Sequence, residues 1–180
     1  MYSDRDGSKK AASGGIIIRP FTAADAEDCF RIRTEAFLQE FYDEQDPTVI
    51  VAGINAYLPS DYIRMSETSH ACVAIDEDRV IGFFILKIID EATAELILLY
   101  LTHGYKGKGI GSLLISHMEN WLGEYHPGVD RIELDTIVPG YNKKFYEKMG
   151  YVEYGESELQ YPGMTVKAVR MAKKLRSENV

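Results

Sequence analysis

The chain has 180 residues, of which 46% are hydrophobic and 27% charged, a balance that suits a soluble globular protein and excludes a fibrous or low-complexity one. A net charge of −8 argues against nucleic acid as a partner. No apolar run approaches the ~20 residues that span a bilayer, so no membrane partner is expected.

Met1 to Gly15 is polar and lacks the apolar core of a secretory signal. It reads as a disordered N-terminal tail, 1–15, ahead of a single domain over 16–180. Ile16-Ile17-Ile18 is a short β-branched run ended by Pro20, hence a first strand. Thr22 followed by Asp25 reads as a helix N-cap with a carboxylate in the first turn. Cys29, Ile32, Arg33, Ala36 and Phe37 then recur at helical spacing, predicting an amphipathic helix to about Phe41. Between Tyr42 and Thr68 the pattern is broken by Pro47, Gly53 and Pro59, and one further helix is expected there.

Ala71 to Ile75, the turn Asp76-Glu77-Asp78 and Val80 to Ile89 predict an antiparallel hairpin. Ala94 to Leu101 is apolar on both faces and reads as a central strand. Ile110, Leu113, Leu114, His117, Met118, Trp121 and Leu122 carry the helical period, which should stop around Gly123. Asp130 to Val138 alternates as a strand, and Tyr141 to Met149 is a short helix with Gly150 just past its end. Tyr151 to Tyr161, the Pro162-Gly163 turn and Met164 to Ala172 close the chain with a hairpin. Helices alternate with strands in the middle and hairpins flank them, so the class is α/β with a mixed sheet.

Chemistry concentrates where the central strand runs into Lys106-Gly107-Lys108-Gly109-Ile110-Gly111. The glycines allow positive φ and close approach of the backbone, the free N–H groups of the following helical turn supply donors, and two lysines add charge. Such a loop suits a pyrophosphate, although its spacing fits neither G-x-x-x-x-G-K-[ST] nor G-x-G-x-x-G. It resembles the acetyl-CoA signature R/Q-x-x-G-x-G/A of the GNAT N-acetyltransferase superfamily, with Lys106 in place of Arg or Gln. That change keeps the charge and loses the bidentate fork. A second segment, Asn142-Lys143-Lys144-Phe145-Tyr146-Glu147-Lys148-Met149-Gly150-Tyr151, is similar to the family's N…FY-x-K-x-G-[FY] motif.

The resemblance implies a GNAT-like, mostly antiparallel sheet of about six to seven strands flanked by about four helices. It implies transfer of an acetyl group from acetyl-CoA, the co-substrate, to a primary amine by direct attack in a ternary complex. Leu99 and Leu101 would hold the pantetheine arm as an added strand and polarise the thioester carbonyl. Lys106, Gly107, Lys108, Gly109, Ile110, Gly111 and Ser112 would take the pyrophosphate, and Asn142 the arm. Tyr146 would protonate the departing thiolate, and Glu95 would take the proton from the ammonium acceptor. Glu133, Asp135 and solvent are the other candidates for that base.

Glu35, Glu40, Asp43, Glu44 and Asp46 form an acidic run that could be a solvated helix face or a rim attracting a small cationic amine or a protein amino group. Cys29 and Cys72 lie far apart and read as buried hydrophobes in a reducing, cytoplasmic setting. His70, His103, His117 and His126 show no metal spacing, so no metal is expected. A homodimer stays open, as does a non-catalytic acetyl-CoA-binding regulatory module.

Overall fold

The computed structural model describes residues 15–40, 45–140 and 142–175, so most of the expected tail, 1–14, and Asp43 and Glu44 lie outside the described residues. The strands are β1 (Ile17–Pro20), β2 (His70–Asp76), β3 (Arg79–Ile88), β4 (Thr93–Leu101), β5 (Arg131–Ile137), β6 (Val152–Tyr161) and β7 (Met164–Lys174). The α-helices are α1 (Ala26–Glu40), α2 (Pro47–Asn55), α3 (Pro59–Ser66), α4 (Ile110–Tyr125) and α5 (Asn142–Lys148). The strands form one seven-stranded sheet in the order β1-β2-β3-β4-β5-β7-β6. Only β4 and β5 run parallel; every other neighbouring pair is antiparallel. This is the mixed α/β architecture expected, with five helices where about four were anticipated.

Local chemistry accounts for the elements. Asp25 accepts from the Thr22 N–H at 2.7 Å and its hydroxyl at 2.9 Å, and Arg19 adds two bonds of 2.7 Å, tying the start of the first helical segment to β1. The Tyr42–Thr68 span holds two helices rather than one. Asp46 caps α2 by accepting from the Thr48 N–H at 2.8 Å, and Pro59 sits in the first turn of α3, where its missing N–H costs no bond. Glu77 and Asp78 both take positive φ, 45° and 65°, in the two-residue turn that joins β2 to β3. α4 does not stop at Gly123 but runs through it to Tyr125, with Pro127 shortly beyond.

Helices cover both faces of the sheet. On one, Leu114, Ile115, Met118 and Leu122 of α4 bury against Phe84, Leu86, Leu96 and Ile132. On the other, Cys29 and Ile32 of α1 and Tyr62 of α3 bury against Val73, Phe83, Ile85 and Leu98. Each such side chain contributes roughly 1.5–3 kcal/mol. Phe37 of α1 seats α2, packing with Val49 and Ile50. Among the described residues no helix is long and apolar enough to cross a membrane.

Two helical glycines have opposite surroundings. A Cβ on Gly53 would lie 2.1 Å from the Phe37 ring, whereas one on Gly123 would meet nothing within 4 Å. Gly53→Ala is therefore expected to lower stability by about 1–3 kcal/mol. Gly123→Ala should raise it by about 0.5–1 kcal/mol. Urea unfolding of the two variants checks both signs.

Candidate active site

The site begins where two neighbouring strands part. β4 and β5 pair only over Thr93↔Arg131, Ala94↔Ile132 and Glu95↔Glu133. β4 then continues along β3 to Leu101, and β5 along β7 to Ile137, so the facing edges separate. A bulge falls at the same place. Leu96 pairs with Leu86 and Leu98 with Ile85, leaving Ile97 as the extra residue. Side-chain parity changes across it. Ala94, Leu96, Leu99 and Leu101 face α4, whereas Ile97, Leu98 and Tyr100 face α1 and α3.

Two recesses occupy the opening. The larger, of about 380 Å³, is lined by Leu99, Tyr100 and Leu101 of β4, by the glycine loop and the first turn of α4, and by α5. Gly107 and Gly109 have φ of 73° and 80°, and a Cβ at either would meet nothing within 4 Å, so backbone conformation rather than space calls for glycine there. Gly111 has the other reason: its Cβ would lie 3.0 Å from the Phe145 ring, which closes the recess from α5. Leu113 is the first amide of α4 to bond back, to the Gly109 carbonyl at 3.0 Å. Ile110, Gly111 and Ser112, whose amides precede it in the first turn, line the recess. Lys106 also lines it, and burial pushes its pKa down to about 8.

The smaller recess, of about 150 Å³, lies in the gap itself and is lined by Glu95, Ile97 and Leu98 of β4, Asp135 and Thr136 of β5, and the rings of Tyr57, Tyr100 and Tyr161. Leu99, Tyr100, Asn142 and Tyr146 line both recesses, so the two meet at these residues. Tyr146 is held by the end of its helix. The Tyr151 N–H bonds to the Tyr146 carbonyl at 3.0 Å and the Gly150 N–H to the Glu147 carbonyl at 3.0 Å, with Gly150 at φ 88°. The Tyr151 ring packs edge-on against Tyr146 at 5.8 Å.

The structure brings the sequence candidates to the two recesses, with two exceptions, Lys108 and Glu133. Lys108 stands outside the lining, its Nζ 4.9 Å from the centre of the Tyr105 ring, whose hydroxyl donates to Asp76 at 2.8 Å. The acidic candidates separate by partner. Asp135 is clamped by Arg170 at 2.9 and 3.0 Å, and Glu133 pairs with Arg131 at 2.6 Å. Among the described residues Glu95 has no ion-pair partner. Of the acidic run, read as either a solvated helix face or a rim, Glu35 pairs with Arg31 at 3.2 Å and Asp46 caps α2.

Sequence reading missed Tyr100, Phe145 and the buried Arg33, which lines the smaller recess. Arg33 donates to the Gly53 carbonyl in the last turn of α2 and lies 4.7 Å from the Phe37 ring and 5.0 Å from that of Tyr57. An arginine inside the apolar stripe of α1 was the available signal.

A family model described as the acetyltransferase (GNAT) family matches residues 25–151. An uncharacterized N-acetyltransferase from Methanocaldococcus jannaschii is 26% identical over 139 residues, which make up 76% of this chain and 78% of that one. The crystal structure of PaiA N-acetyltransferase from Thermoplasma acidophilum, in complex with coenzyme A, matches with a TM-score of 0.77 at 23% identity, over 89% of this chain and 99% of that one. A GCN5-related N-acetyltransferase from Rhodopseudomonas palustris matches at 0.78 with 19% identity, over 92% and 99%. At such identities the two structures speak to the fold.

The depressed pKa of Lys106 has a consequence for any phosphate-bearing ligand. Below about pH 8 its ammonium is charged and attracts the phosphate; above it the charge is lost. Coenzyme A affinity, measured by calorimetry, is expected to fall as pH rises through about 8. Lys106→Arg, which stays charged, should flatten that dependence.

Proposed function

The chain belongs to the acetyltransferase (GNAT) family, and from that premise we propose that it moves an acetyl group from acetyl-CoA to a primary amine by direct attack in a ternary complex. The observation that carries this reading is the meeting of two recesses at Tyr146 and Asn142 in the opening between β4 and β5. One recess has the shape and donors for a cofactor arm and its phosphates. The other holds a carboxylate without an ion-pair partner among the described residues.

Each step then has a residue. The β4 edge at Leu99 and Leu101, without a β5 partner, offers backbone groups to the pantetheine arm and to the thioester carbonyl. The first-turn amides of α4 and Lys106 receive the pyrophosphate, with Gly107 and Gly109 shaping the approach. Asn142 lines the arm's path. Glu95 takes the proton from the ammonium, and the amine nitrogen attacks the thioester carbon. The C–S bond breaks, the acylated nitrogen gives up its remaining excess proton to solvent, and the thiolate takes its proton from the Tyr146 hydroxyl, which is restored from solvent. Cys29 and Cys72 line neither recess, and burial pushes both thiol pKa values up, which favours direct attack over an acetyl-cysteine intermediate.

The acceptor recess is narrow. At about 150 Å³ it falls below the ~300–1,000 Å³ of sites for drug-sized ligands, so it suits the end of an alkylamine chain. A small cationic amine or a protein amino group fits that description, with the amine end near Glu95. PaiA and the archaeal relative bear N-acetyltransferase names, which agrees with the same chemistry here.

Free-thiol release over polyamines, amino acids, aminoglycosides and lysine peptides tests the assignment. Coenzyme A binding with no turnover on any of them would favour a regulatory acetyl-CoA-binding module instead. Tyr146→Phe is expected to lower kcat by about 10²-fold while changing acetyl-CoA affinity little; unchanged turnover removes it as the acid. Glu95→Gln should lower kcat/KM by about 10²-fold at neutral pH, and the loss should shrink as pH rises and more acceptor arrives as free amine. A loss that is constant with pH would mean that Glu95 is not the base.

A further inference from the structure

Away from the cleft, β2 and α4 bring together three side chains that the linear spacing hides. His70 and Cys72 are two residues apart on β2 and so share a face, and His117 lies 45 residues beyond Cys72 on the helix covering that face. The Cys72 Sγ is 3.5 Å from Nε2 of His70 and 3.9 Å from Nε2 of His117, and one ligand atom from each residue lies within 4.8 Å of the others. None of the three lines either recess.

We propose that His70, Cys72 and His117 form a binding site for one thiophilic d¹⁰ cation, zinc(II) or copper(I). The two sulfur–nitrogen distances carry the proposal. With bonds of about 2.3 Å to sulfur and about 2.0–2.1 Å to nitrogen, the sulfur and nitrogen ligands of one ion stand about 3.6 Å apart in tetrahedral geometry and about 3.8 Å in trigonal geometry. The two distances from Cys72 bracket that range. The donor set is one thiol and two imidazoles with no carboxylate, which selects soft and borderline ions over calcium or magnesium.

The surroundings support it. The His70 ring lies flat on Trp121, with centroids 3.7 Å apart and planes at 4°, which fixes its orientation. Trp121 follows His117 by one helical turn, so the same face of α4 supplies both the third ligand and that support. Cys72 is 1% exposed while both histidines are half-buried, so an ion enters from the imidazole side and meets the thiol last. Cys72 binds as thiolate and releases its proton to solvent. The bound ion would fasten α4 to β2 at a point roughly 10 Å along the helix from Ile110, whose turn lines the cofactor recess.

The full chain, stripped of metal with chelator, is titrated with Zn²⁺, with Co²⁺ as a spectroscopic substitute, and with Cu⁺ under anaerobic conditions. The expected results are one equivalent bound, a thiolate-to-Co²⁺ charge-transfer band, and a Tm raised by roughly 5–10 °C at one hundred times the Kd. Cys72→Ser should abolish the band, and His117→Gln, at a half-buried helix position, should weaken binding at least tenfold. Cys29→Ser should leave both unchanged. If no ion binds stoichiometrically, the three residues are only a hydrogen-bonded cluster. Binding that survives both Cys72→Ser and His117→Gln places the ion elsewhere and overturns the proposal equally.

Discussion

The candidate active site depends on one interrupted ladder. β4 and β5 share a parallel register for three residue pairs and then separate, each staying paired to its other neighbour, β4 with a bulge at Ile97. A backbone edge left open in the middle of a sheet carries donors and acceptors that must find partners, because an unsatisfied buried amide costs about 1–3 kcal/mol. Water can satisfy them in the free protein. A ligand that presents amide groups in extended form satisfies them better, and the pantetheine arm is such a ligand. The bulge at Ile97 completes the arrangement by sending Leu99 and Leu101 toward α4 and Tyr100 toward α1 and α3. One strand thereby serves both recesses.

The two motifs that flank the opening act through their backbones as much as their side chains. Gly107 and Gly109 are needed for positive φ, whereas a Cβ on Gly111 would crowd the Phe145 ring at 3.0 Å. That contact couples the loop motif to the α5 motif: the glycine of one makes room for the aromatic of the other. The C-terminal cap of α5 does similar work, since Gly150 turns the chain so that Tyr151 packs on Tyr146 and its amide bonds to the Tyr146 carbonyl. A tyrosine on a seven-residue helix would otherwise be poorly held.

Much of this was legible in the residues, and what was not has physical reasons. The central place of β4 followed from its apolar faces, and the glycine loop and α5 from their motifs. The bulge was invisible because Leu96-Ile97-Leu98-Leu99 is apolar throughout, so a one-residue slip leaves no mark on the pattern. α4 outran its expected end because a glycine within a helix costs only about 1 kcal/mol, which tertiary packing of Leu122 repays. The cluster of His70, Cys72 and His117 depends on the packing of α4 across β2, which no linear spacing encodes.

The carboxylates around the opening show why geometry must finish the assignment that a motif begins. Glu95, Glu133 and Asp135 all lie on the two strands that part, and in sequence any of them could serve as a base. Asp135 lines the smaller recess, yet Arg170 occupies both of its oxygens. A carboxylate held in such a bidentate pair has both oxygens engaged and must break charge-assisted bonds before it can meet a substrate. Glu133 is ion-paired with Arg131 and lines neither recess. Glu95 lines the recess without a cationic partner among the described residues, at the last register pair before the strands diverge. The position that ends the ladder is therefore also the one where a carboxylate faces the smaller recess without a cationic partner among the described residues.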